Sequence, residues 1–147
     1  FELSTFEGYC LLTSSFFSAY MTNTEHRLLQ AERDKAEDNT IILHDFFYKN
    51  YDLKIKYDPS DPLKPFVEFD DQIIGSTAEA FGTIYGNGKL MCTQPVAYDS
   101  YYNVCQKFVF LYSTIYVVGK GTVGTYVNIL EWISDEEAEQ YKKEEGL

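Results

Sequence analysis

The sequence predicts an α+β fold: N-terminal helices packed on one face of a curved, mainly antiparallel sheet, as one domain spanning residues 1–147. Three observations carry that prediction. Apolar residues recur at three- and four-residue spacing through the first third of the chain, alternation replaces them from Tyr51, and two late strands are apolar on both faces.

Ser4-Thr5-Phe6-Glu7 has the spacing of a capping box, in which a hydroxyl and a carboxylate three residues apart satisfy the first free amides of a helix. Phe6, Tyr9, Cys10, Thr13, Phe16, Phe17, Tyr20 and Met21 then form the buried stripe of a first helix. Residues 25–37, rich in Leu, Ala, Gln, Arg and Glu, suit a second helix on the surface. Asp38-Asn39-Thr40 caps a third, which buries Ile41, Leu43, Phe46 and Phe47.

Leu53, Ile55 and Tyr57 alternate with Lys54 and Lys56, which reads as a half-exposed strand ended by Pro59-Ser60-Asp61-Pro62. Phe66-Val67-Glu68-Phe69 and Gln72-Ile73-Ile74 flank Asp70-Asp71 as a hairpin, and Gly75 releases the chain from the sheet. Ser76 and Glu79 form a second capping box, for a helix carrying Ala78, Phe81, Ile84 and Tyr85 and stopping at Gly86-Asn87-Gly88. Residues 89–98 read as a strand that Pro95 confines to an edge or bulge, and Tyr98 to Asn103 as a polar aromatic loop.

The longest strands are 107–118 and 125–133. One face is assigned Phe108, Phe110 and Tyr112 with Tyr126, Leu130 and Trp132; the other holds Val109, Leu111, Val127, Ile129 and Ile133. Helices cover one side of such a sheet, so the second side requires a partner. Ser134 and Glu137 open a charged helix or tail over 135–147.

The Phe66–Phe81 stretch, Phe46-Phe47-Tyr48 before the first strand, and Cys92-Thr93-Gln94-Pro95-Val96 together resemble the nuclear transport factor 2-like family, nearest its mRNA-export cofactor members. The resemblance implies a cone-shaped fold, dimerisation through the open sheet face, a role in nuclear transport and an intracellular place in nucleus or cytoplasm rather than an organelle. On it, the six aromatic and aliphatic residues just named form the partner surface of a non-enzymatic protein-binding module, a homo- or heterodimer. The alternatives are an isomerase or dehydratase using a helix-to-sheet cavity, with His44, Asp45 and Asp52 as its catalytic candidates, and an accessory subunit of a large organellar assembly.

Composition narrows the choice. Acidic residues number 23 against 12 Lys and Arg, a net charge of −11, and no basic patch interrupts them, so direct nucleic-acid binding is not expected. Three cysteines without close spacing write neither a disulfide framework nor a zinc site, and favour a reducing compartment. His26 and His44 have no partner at helical spacing for a metal. The longest apolar run, 108–118, is about half a membrane span. Gly119-Lys120-Gly121-Thr122-Val123-Gly124 matches a dinucleotide loop, but too few residues follow for the returning strand and its acid, so these glycines read as a hairpin. No cofactor is expected.

Overall fold

Eight antiparallel strands close on themselves in the computed structural model, which describes residues 1–82 and 86–144. The barrel runs β1 (Gly8–Ser14), β2 (Arg27–Arg33), β3 (Thr40–Leu43), β4 (Leu53–Asp58), β5 (Phe66–Glu68), β8 (Ser100–Asn103), β9 (Phe108–Val117) and β10 (Gly121–Ile133). It closes where β10 pairs with both β9 and β1. β6 (Gln72–Ser76) and β7 (Lys89–Thr93) form an extra pair on the same sheet. Three short helices complete the described residues: α1 (Ser15–Tyr20), α2 (Thr77–Phe81) and α3 (Asp135–Glu144).

This architecture corrects the α+β expectation. Among the described residues no layer of helices lies on an open, cone-shaped sheet, and the resemblance to the nuclear transport factor 2-like family and its mRNA-export members falls with it. The first two expected helices are mostly strand. Gly8, at φ +103°, breaks the chain after a single 3-10 turn (Leu3–Phe6). From there Cys10, Leu12 and Ser14 alternate inward while Tyr9, Leu11 and Thr13 face out. Leu29 and Ala31 do the same in β2, where sheet pairing overrides helix propensity. Asn39 turns the chain at φ +54° between β2 and β3 instead of capping a helix.

The Asp70-Asp71 corner is not a hairpin either. β5 pairs with β4 and β8, β6 pairs with β7, and the corner carries the chain between them. Asp71 fixes it by accepting from Thr93 Oγ1 (2.5 Å) and Tyr116 OH (2.7 Å), bonds that hold its carboxyl below the usual range. Where β4 and β6 do not pair, the Gln72 amide stands in for a strand: its Oε1 accepts from Lys54 N and its Nε2 donates to Lys54 O, both at 2.8 Å. The capping box at Ser76 and Glu79 forms as expected, but Gly82 ends α2 one residue after Phe81. Ile84 and Tyr85 lie outside the described residues, as does the tail beyond Glu144.

The lumen is filled. Phe6 closes one mouth, stacked on Tyr57 at 4.2 Å, while Phe16 of α1 stacks on Phe47 at 4.8 Å at the other. Between them lie Leu12, Leu29, Ile41, Leu43, Leu53, Ile55, Val109, Leu111 and Leu130, all buried. A polar clasp crosses this core: buried Asn128 accepts from Ser14 Oγ (2.6 Å) and donates to Leu111 O and Ser113 Oγ (both 2.9 Å). Every polar atom of that amide is matched, so the clasp rewards only one alignment of β1, β10 and β9.

Candidate functional site: the outer aromatic face

The β9–β10 register divides the six residues assigned to a partner. Val109 stands opposite Leu130 and Leu111 opposite Asn128, all buried, so Leu130 and its alternates Tyr126 and Trp132 point into the barrel. Tyr126 meets Phe16 edge-on at 5.2 Å and Trp132 meets Phe6 at 5.2 Å. Burial pushes the Tyr126 phenol up to about 12. Phe108, Phe110 and Tyr112 point outward.

Around those three the register assembles a wider surface. Phe66 of β5 lies opposite Tyr101 of β8, Tyr101 opposite Phe110 of β9, Phe110 opposite Ile129 of β10, and Ile129 opposite Thr13 of β1. The row therefore crosses five strands, about 19 Å at ordinary strand spacing. Tyr101 stacks on Phe110 at 5.4 Å, Tyr98 stacks on Tyr112 at 5.1 Å, and Phe108 meets Phe110 at 6.5 Å. Lys64 Nζ sits 4.6 Å from the Tyr101 ring centre, against its aromatic face. A shallow groove of about 300 Å³ lies at the β9–β10–β1 end of the row, lined by Leu11, Thr13, Gln106, Phe108, Phe110, Ile129 and Glu131.

Sequence reasoning missed Phe66, Tyr101, Ile129 and Leu11. Residues 98–103 read as a loop, and Ile129 was assigned to the helix-covered face. No local signal gives this: the Gly119–Gly121 turn alone, which sets Gly121 opposite Val117, would put Ile129 opposite Val109, and the bulge between Thr122 and Gly124 shifts it to Phe110.

His44, Asp45 and Asp52 do come together, on the barrel's outer surface beside the β3–β4 turn. His44 Nε2 is 2.7 Å from Glu32 Oε1 and its Nδ1 is 3.2 Å from Asp52 Oδ2. Asp52 Oδ1 accepts from Asp45 N (3.0 Å) and Asp45 Oδ1 from Asn50 N (2.7 Å), while Asp45 itself sits at φ +53°. The trio closes a strained turn and both imidazole nitrogens are committed to carboxylates. Burial, the largest single influence, lowers the His44 pKa, but the two carboxylates together outweigh it and the net movement is upward. A proton acceptor for catalysis needs a ring nitrogen free to reach its substrate. The open groove alongside, about 970 Å³, is lined by polar groups including His26, Gln30 and Lys142.

The one carboxylate counted among the buried described residues, Asp34, lies in the β2–β3 turn, paired with Lys54 Nζ at 2.9 Å. No group of three or more His, Cys, Asp or Glu among the described residues is placed to hold a metal, and no described helix is long and apolar enough to cross a membrane.

These features define a closed antiparallel barrel with a filled lumen and an aromatic outer face. The chain belongs to the family described as Domain of unknown function (DUF4984), whose model matches residues 1–144. No curated protein and no solved structure matches it.

Proposed function

We propose that the domain is a non-enzymatic protein-binding module that pairs with a second copy of itself through the outer aromatic face. The observation behind this reading is the row Phe66, Tyr101, Phe110 and Ile129, which stays on the outside of a barrel whose interior is already full. Isolated exposed apolar residues are ordinary; a contiguous row over neighbouring strands is not.

Two considerations set its strength. A stable interface buries about 800 Å² on each partner, and a row about 19 Å across reaches that only with its rim included. Each copy carries −11, which opposes pairing. A weak dimer follows, and because salt screens the repulsion while leaving apolar burial intact, it tightens as salt rises. Sedimentation equilibrium at about 50 mM and about 500 mM salt tests this: the reading requires self-association that grows with salt, and a monomer at both concentrations counts against it.

A further inference from the structure

The barrel mouth closed by Phe6 has features that packing alone does not explain. Phe6 is 2% exposed and is delivered by the 3-10 turn Leu3–Phe6, whose backbone bonds are internal: Thr5 N to Glu2 O and Glu7 N to Ser4 O, both 3.2 Å. No strand pairs with this turn; Glu7 meets Arg33 at 3.2 Å on the surface, and Gly8 follows at φ +103° as a joint. The ring is held by aromatic contacts, stacked on Tyr57 and on Phe1 (5.9 Å) and edge-on to Tyr102 (4.9 Å) and Trp132 (5.2 Å).

Two of those neighbours bury a polar atom that has no hydrogen-bond partner among the described residues: the Tyr57 hydroxyl, on a residue 1% exposed, and Trp132 Nε1. Such groups are rare in folded proteins, because an unpaired buried donor forfeits its hydration without return. Both are donors, and both belong to residues whose rings pack against Phe6. The titratable groups around Tyr57, Cys10 and Tyr102, are uncharged.

We propose that this mouth is a binding site for an uncharged, flat, apolar ligand bearing a hydrogen-bond acceptor, such as an aromatic ketone or amide, which takes the place of the Phe6 ring. The ligand's flat body stacks on Tyr57 as Phe6 does. Its carbonyl oxygen accepts from the Tyr57 hydroxyl and the Trp132 indole, which Phe6 leaves unmatched. A carboxylate is disfavoured, since the domain is strongly acidic. The 3-10 turn then acts as a tethered plug that the ligand displaces about Gly8. This site is separate from the outer face and stands or falls independently of self-pairing.

Trp132 is the only tryptophan, so its indole N–H gives a single, assignable nitrogen-correlated proton signal. Acetophenone and ethylbenzene, matched in shape but not in acceptor, are titrated into the ¹⁵N-labelled domain. Acetophenone is expected to move the indole proton downfield saturably and to bind roughly tenfold more tightly than ethylbenzene. Tyr57→Phe removes most of that preference while leaving ethylbenzene binding within about twofold. Phe6→Ala, which removes the competing ring, tightens both ligands; Phe6→Leu does so to a lesser degree and serves if the alanine variant does not fold. An indole signal that stays fixed in the wild type and in the Phe6 variant overturns the proposal, as do equal affinities for ketone and hydrocarbon.

Discussion

Val109 and Leu130 face each other directly across the β9–β10 pair, and neither exposes any surface. Because side chains alternate along a strand, that one pairing sends Tyr126 and Trp132 inward with Leu130 and leaves Phe108, Phe110 and Tyr112 outside. A slip of one residue would exchange the two sets. Asn128 guards against it, since its amide matches Ser14, Leu111 and Ser113 only in this alignment.

Asn128→Ala is therefore expected to cost about 2–4 kcal/mol of folding stability, because it strands the Leu111 carbonyl and two hydroxyls in the core. Asn128→Asp is expected to cost more, replacing a donor that faces a carbonyl with an acceptor. Urea denaturation of both variants measures this. An unchanged midpoint for either would mean that the clasp does not hold the register.

Gly75 and Tyr48 make a second testable pair. A Cβ at position 75 would lie 2.7 Å from Tyr48 Cδ2, well inside contact distance. Gly75→Ala is expected to destabilise the fold by about 1–3 kcal/mol, the usual range for overpacking. In a Tyr48→Leu background the same change should cost much less. Equal costs in both backgrounds, measured in a double-mutant cycle, would show that the Tyr48 ring is not what Gly75 accommodates.

The His44 clamp predicts a pH dependence. Its folded-state pKa is raised, so its contribution is full below the unfolded value of about 6.5 and is lost as pH rises through the higher folded value. Melting temperature should fall over that window in the wild type, and His44→Gln should remove this component. Parallel melting-temperature curves for the two proteins would contradict the clamp.

Two local elements of the fold are legible in sequence. Leu53, Ile55 and Tyr57 alternate cleanly because only one face of β4 is buried, and Ser76 with Glu79 marks a helix start that needs no tertiary context. The first three barrel strands were not legible. β1 carries Tyr9 and Leu11 on its outer face as well as Cys10 and Leu12 within, and a strand apolar on both faces followed by α1 imitates a helical stripe. β2 has the composition of a surface helix, and only its pairing with β1 and β3 decides otherwise. The candidate surface was half legible: Phe108, Phe110 and Tyr112 were grouped correctly with one another, but their neighbours across the sheet depend on closure, which no local pattern encodes.

The most direct test of the outer-face reading is sedimentation equilibrium of Phe110→Lys beside the wild type, at about 500 mM salt, together with its melting temperature. Phe110 projects from the middle of the row, so a lysine there places a charge in the pairing surface without entering the core. The account predicts a monomeric variant that melts within a few degrees of the wild type. A variant that associates as tightly as the wild type, or one that is monomeric only because it no longer folds, would contradict it.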